Sequence, residues 1–432
     1  MNARQQREVK KERGEKLMNQ KAKWYGPKQI GIMLYTAVLF LIGTSIIGGN
    51  NNTVFPMFAE IRGWNLAIIN IVSGVACIMK AIGVLVLAKF VCTIGPKLLS
   101  AITLFISAAL LIVFGTTKSL PVFLIVILVI GFLGGGYEKN GGMTLTANWW
   151  PTKKGVVLGI TTIGIILMNI LYVPQMPKLL GALGLGWGMT VIAAILVVVG
   201  IITLICVKNT PEEAGTYPDG DPSYVVSGAE IAKQMREYKS PFTAKKVCSD
   251  KNTWFVALGS ALAFLAVMSY IASAIPAMIG FGYAPAMATN VFAIGGIFGI
   301  VGSFIFGIID QKIGTRKTFI LYFVFIIIGF ILLLLMPKAA IFAWLSGIVI
   351  FAAQGALCNL LPSYVGSIYG RWDYPAAYRV IGTIFEIGAG IGVMMTGFFA
   401  NVFVMYVIDA ILMVVGLILM ICSNDKFIGK AG

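Results

Sequence analysis

Gly307-Ile308-Ile309-Asp310-Gln311-Lys312-Ile313-Gly314-Thr315-Arg316-Lys317 is the stretch on which the reading of this chain turns. It is a short polar gap between two long apolar runs. Asp310 can cap or pair at a helix end, Gly314 permits a tight turn, and Arg316 and Lys317 anchor at an anionic membrane surface. Such a gap makes sense as a loop between two membrane-spanning helices.

Outward from this loop the pattern repeats. A spanning helix needs about 20 mainly apolar residues, and the 432-residue chain offers about twelve such runs. The first six are Gln29–Gly49, Leu66–Phe90, Leu98–Gly115, Leu120–Leu145, Gly155–Pro174 and Trp187–Val207. The second six are Trp254–Ile275, Met287–Ile309, Thr318–Met336, Phe342–Tyr364, Tyr378–Phe399 and Val402–Cys422. Composition agrees: 58% of residues are hydrophobic and 12% charged, where soluble domains carry about 25% charge. Mean hydropathy is +0.91. A water-soluble fold of this length could not bury so much apolar surface.

The formal net charge of +16 would suggest nucleic acid on a soluble chain. Here the basic residues fill the gaps between apolar runs, so no nucleic-acid partner is expected. Placing the N-terminus in the cytoplasm puts Lys10, Lys11, Lys153, Lys154, Lys245, Lys246, Arg316 and Lys317 inside. The outer loops keep only Arg62, Lys118, Lys178 and Lys338. That bias predicts both termini cytoplasmic in a bacterial inner membrane.

The domain plan that follows is a basic tail (1–28), a six-helix bundle (29–207), a cytoplasmic linker (208–252), a second six-helix bundle (253–423) and a short tail (424–432). Within the linker, Ser227 to Glu230 looks like a capping box, and Ile231, Met235 and Tyr238 follow at helical spacing, predicting a short amphipathic helix on the membrane surface. The six cysteines form no CxxC pair and the chain has no histidine. No disulfide framework, metal site or cofactor is expected, histidine-based catalysis is excluded, and any proton coupling falls to carboxylates. The linker is too short for a typical extra domain, so an enzyme or sensor is not expected.

Three short motifs sharpen the reading. The loop Gly307–Lys317 resembles the major facilitator signature: glycine, three residues, aspartate, three residues, glycine, one residue, arginine or lysine. The first-half copy, Ala88-Lys89-Phe90-Val91-Cys92-Thr93-Ile94-Gly95-Pro96-Lys97, keeps Gly95 and Lys97 but has Val91 at the acidic position. Asn148-Trp149-Trp150-Pro151-Thr152-Lys153-Lys154-Gly155 and Asn209-Thr210-Pro211-Glu212-Glu213-Ala214-Gly215 resemble elements of the oxalate/formate antiporter and monocarboxylate transporter branch. The resemblance implies an all-α major facilitator fold, twelve transmembrane helices in two six-helix bundles. It also implies a monomer that moves a small solute, often an organic anion, by alternating access as antiporter or proton symporter. Span five lacks the Gly-Pro of drug exporters.

Charges within the spans are costly, about 2.5–3.5 kcal/mol each on insertion scales, and usually face a cavity or a partner. Lys80, Glu138, Lys139, Glu386 and Asp409 are of this kind. Lys80 and Lys139 would give positive potential, Glu138 or Glu386 coupling, and Asp409 a structural bond. Tyr137 and Asn140 share a stripe on span four, as do Asn169, Tyr172 and Gln175 on span five; Tyr270, Gln354 and Asn359 are further candidates for lining a midplane site. Three carboxylates against two lysines leave a cation, amino acid or zwitterion open as substrate.

Five glycines bracket the Glu138-Lys139-Asn140 trio in span four. In a regular helix these three point about 100° apart and cannot share one cavity. The spacing predicts a distorted or partly unwound span four, with one charge turned to the cavity and the other paired with a neighbouring helix. Alanine at Gly136 and Gly141 is then expected to straighten it, suppress transport and raise stability.

Overall fold

A computed structural model describes residues 25–150, 154–221 and 240–429. Eleven helices are long and apolar enough to span a membrane, and a shorter apolar helix, Val157–Tyr172, makes the twelfth. No strand occurs among the described residues. In order they are span 1 (Pro27–Asn51), span 2 (Leu66–Val91), span 3 (Thr93–Thr116), span 4 (Leu120–Trp149), span 5 (Val157–Tyr172), span 6 (Met176–Cys206), span 7 (Lys251–Gly280), span 8 (Pro285–Ile313), span 9 (Thr315–Lys338), span 10 (Ala340–Gly370), span 11 (Ala376–Phe398) and span 12 (Val402–Cys422). The basic tail, Thr152, Lys153, and the predicted amphipathic helix with Ile231, Met235 and Tyr238 lie outside the described residues.

Two hydrophobic cores form, one from residues of spans 1 to 6 and one mainly from spans 7 to 12. Ile195, Val198, Ile202 and Ile205 on span 6, and Ile411, Val415 and Ile418 on span 12, point outward and stay exposed. In water such apolar stripes would be a liability; in lipid they are the required surface.

The turns obey local chemistry. Asn65 caps span 2 by accepting from Ala67 N (2.9 Å), and Asn401 caps span 12 by accepting from Phe403 N (3.0 Å). Gly314 has φ +85° and its first-half counterpart Gly95 has φ +80°, a conformation that glycine alone adopts cheaply. Asp310 accepts from Ser363 Oγ on span 10 (2.6 Å), and Arg316 donates to the Ile421 carbonyl at the end of span 12 (2.7 Å). The loop is therefore a clasp across the ends of spans 8, 9, 10 and 12. Asp310→Asn or Arg316→Ala should leave the protein folded and slow transport several-fold, measured at equal surface expression; wild-type rates in both would contradict this.

The two loops that carry the branch resemblance touch each other. Trp149 Nε1 donates to the Lys208 carbonyl and Asn148 to the Asn209 carbonyl, both at 3.1 Å. The Asn209 side chain in turn accepts from Lys97 N at 2.9 Å. The second bundle has its own fastening at this face: Asn252 and Asn424 exchange two bonds of 2.8 and 2.7 Å. Both described ends of the chain lie on this side, called here the terminal face; the opposite one is the distal face.

Span 5 departs from the expected continuous run. Thr162 Oγ1 bonds back to the Leu158 and Gly159 carbonyls (2.8 and 3.2 Å), and the helix breaks there into Lys154–Thr161 and Ile163–Leu167. It ends in a π-helical turn, Met168–Tyr172.

Candidate functional site

Span 4 holds the other π-helical segment among the described residues, nine residues from Gly135 to Met143. It carries two of the five intramembrane charges, Glu138 and Lys139. A π turn closes i→i+5 hydrogen bonds and packs more residues per turn than the 3.6 of an α-helix. Successive side chains therefore diverge by less than 100°, and Glu138 and Lys139 fall on one side. The 100° spacing of a regular helix does not apply here. The helix is distorted as predicted, and because a π turn advances fewer degrees per residue than an α-helix the segment is locally underwound.

What results is one chain of charge across the molecule. Lys80 Nζ on span 2 sits 3.0 Å from Glu138 Oε2 and 3.2 Å from Oε1. Lys139 Nζ is 3.7 Å from Glu138 Oε1 and 3.2 Å from Glu386 Oε1 on span 11. Phe40 of span 1 places its ring 5.9 Å from Lys139 Nζ, within cation–π range. Two lysines and two glutamates cancel, so the quartet is neutral as it stands. Its members differ in access: the Glu138 side chain is 1% exposed, Lys80 13%, Lys139 17% and Glu386 27%. Glu138 is the internal counter-charge for both lysines, while Lys139 and Glu386 form the open end. That end is also an ionic link between the two bundles.

The other expected site residues are dispersed. Tyr137 is fully buried in the first core with its hydroxyl unpartnered. Asn140 donates to the Val84 carbonyl of span 2 (3.0 Å), a tie between helices. The span 5 stripe splits because its π turn breaks the 3.6-residue spacing. Asn169 Nδ2 reaches Gln354 Oε1 of span 10 (3.4 Å), Tyr172 donates to Asn50 Oδ1 (2.6 Å), and Gln175 is exposed at the residue preceding the next helix. Asn359 donates to Ser303 within the second bundle (2.5 Å), and Tyr270 packs edge-on against Phe351. Asp409 accepts from Ser269 at 2.7 Å in the second core.

Sequence reading did not single out Phe40, or Tyr378 and Cys358, which lie within electrostatic reach of Lys139 and Glu386. Tyr378, Gly382 and Glu386 recur every four residues on span 11, a stripe that could have flagged the tyrosine. Two surface crevices, of about 410 Å³ beside Lys28, Tyr35 and Glu213 and about 520 Å³ beside Asn51, Asn70 and Pro276, lie away from the quartet. The quartet is the better candidate because it spends buried charge where helices from both bundles converge.

Around it the bundles meet closely on the distal side. A side chain at Gly74 of span 2 would meet the Gly390 carbonyl of span 11 at 2.5 Å, and one at Gly296 of span 8 would meet Ile170 of span 5 at 2.9 Å. Spans 2 and 11 thus abut, as do spans 5 and 8, and each pair joins one bundle to the other. The sequence model of the Major Facilitator Superfamily matches residues 32–370. The chain belongs to that superfamily. Its fold is similar to a bacterial homologue of the human lysosomal transporter Spinster in an inward-facing, occupied conformation, with TM-score 0.69, 13% identity and coverage of 93% of this chain and 98% of that one. A D-xylose–proton symporter gives TM-score 0.68 at 16% identity, covering 93% and 99%. The nucleoside transporter NupG gives 0.66 at 15%, covering 90% and 99%. None of the curated proteins matches this chain. The protein is a membrane transporter of the major facilitator fold, not an enzyme, and the quartet occupies the interface between its bundles.

Proposed function

We propose that the protein carries a small carboxylate across the cytoplasmic membrane together with a proton, with the Lys139–Glu386 pair as the shared site. The observation that carries this reading is the 3.2 Å contact between those two side chains, the most accessible members of a neutral quartet. A carboxylate added to a neutral quartet would leave one uncompensated negative charge in the membrane interior, which is expensive. A proton on Glu386 removes that excess and at the same time frees Lys139 to take the incoming carboxylate. Glu138 stays bound to Lys80 throughout. Substrate and proton then bind as a neutral pair, and the bundles can rock around a site of constant charge. Exchange of one carboxylate for another on Lys139 needs no net proton, so antiport and symport share one chemistry.

The two loops resembling the oxalate/formate and monocarboxylate branch support the same substrate class. The positive-inside bias supports a cytoplasmic terminal face, and the close distal contacts support an inward-opening state. A zwitterion is the second reading, because its two charges could insert between Lys139 and Glu386. A thermal-shift screen of the purified protein separates them. Formate, lactate and oxalate should raise Tm, and raise it more at acid pH, whereas glycine and alanine should not. Stabilisation by amino acids alone would favour the zwitterion and reject the carboxylate.

A further inference from the structure

We propose that Asn52 is the latch holding the distal face shut, and that span 7 bends between Ile271 and Pro276 when the latch releases. Span 1 runs directly into three consecutive asparagines, Asn50, Asn51 and Asn52, all 2% exposed or less. Each addresses a different neighbour. Asn50 donates to the Ile46 carbonyl (2.7 Å) and accepts from Tyr172 of span 5 (2.6 Å). Asn51 accepts from Ser73 of span 2 at 2.9 Å. Both ties stay within the first bundle. Asn52 alone crosses to the second: its Nδ2 donates to the Ile271 carbonyl, and its Oδ1 accepts from Ile275 N at 3.3 Å.

Those two groups are the acceptor and donor of a single i→i−4 rung of span 7. A side-chain amide carries one acceptor oxygen and an NH₂ donor, so it can serve both members of a rung at once. The next residue, Pro276, lies inside the helix and has no N–H, which leaves the Ala272 carbonyl without its helical partner. Two successive rungs are thus compromised at one level, and that is where a helix bends most readily.

The arrangement also explains how the latch can open cheaply. When Asn52 withdraws, the Ile275 N–H and the Ile271 carbonyl can bond each other alone, and the Asn52 amide passes to water at the distal face. None of the groups that the latch joins is stranded in either state. The contact fixes the closed position without making it irreversible.

Distance measurements between spin labels test this without any substrate, and so independently of the carboxylate reading. Labels go on Glu60→Cys and Ala284→Cys, exposed distal positions in the two bundles, with the native cysteines replaced. The unmodified latch should give a dominant short distance. Asn52→Ala should raise the longer-distance population several-fold, and Asn52→Asp, which keeps an acceptor but loses the donor, should do the same. Asn50→Ala removes the Tyr172 bond within one bundle and should lower Tm while leaving the distances unchanged. Pro276→Ala restores a rung, and in combination with Asn52→Ala should reduce the long-distance population. A folded Asn52→Ala or Asn52→Asp protein with the parent distance distribution would overturn the latch, as would equal opening by Asn50→Ala. A long-distance population untouched by Pro276→Ala would overturn the hinge.

Discussion

Replacing Glu138 with glutamine is expected to remove more folded protein than any other single change in the membrane interior. Glu138 is 1% exposed and is a counter-charge to both Lys80, at 3.0 Å, and Lys139, at 3.7 Å. Removing one partner of a buried ionic network costs about 3–5 kcal/mol, because the remaining charge is left uncompensated. Lys139 would keep Glu386 at 3.2 Å; Lys80 would keep no carboxylate. Folded yield and the detergent melting temperature should fall together. Lys80→Ala should fail in the same way, by loss of folded protein rather than by loss of substrate affinity alone, because Lys80 binds both oxygens of Glu138. Pairing the two changes as Lys80→Met with Glu138→Gln removes both charges and should recover part of the yield. A Glu138→Gln protein as stable as its parent would show that the quartet does not hold span 4 in place.

The second large effect runs against the expectation from sequence. Alanine at Gly136 and Gly141 was expected to straighten span 4 and raise stability through helix propensity, a gain of about 1 kcal/mol per site. The structure reverses the sign. A Cβ at Gly141 would meet Ser100 Oγ at 2.0 Å, and one at Gly136 would meet Thr103 Cγ2 at 2.6 Å. Overpacking a tight helix contact costs about 1–3 kcal/mol per site, which outweighs the propensity gain. The Gly136→Ala, Gly141→Ala double variant should therefore melt several degrees lower and transport poorly, as span 3 is pushed off span 4. Trimming Ser100 to alanine should rescue the Gly141→Ala component, which a pure propensity effect would not allow.

The residues that gave the fold away are those whose physics is local. Runs such as Val402–Cys422 are long, apolar and bounded by polar residues, so the twelfth helix is read from the sequence with both ends correct. Span 5 was less legible because its interior break depends on Thr162 bonding back to its own helix. The intramembrane charges were visible one by one, because each is improbable in lipid. Their pairing was not. It depends on a π segment that 3.6-residue spacing cannot describe. Asn50, Asn51 and Asn52 carried a signal in plain view, three amides at the end of an apolar helix. Which helix each addresses is a matter of tertiary packing, and spacing along the chain holds no record of it. Asp409 illustrates the converse: a buried carboxylate on a peripheral span reads as structural, and its Ser269 partner at 2.7 Å is of that kind.

Uptake of labelled lactate into proteoliposomes under an imposed proton gradient, comparing the wild-type protein with Glu386→Gln, tests the Lys139–Glu386 coupling most directly. Wild-type vesicles with an acidic exterior should accumulate lactate above its external concentration and release it when the gradient is collapsed. Glu386→Gln should lose that accumulation while retaining exchange of internal for external lactate, since Lys139 remains in place and only the proton-accepting group is gone. Accumulation by Glu386→Gln equal to wild type, or wild-type uptake indifferent to the proton gradient, would contradict proton-coupled carboxylate transport at this pair.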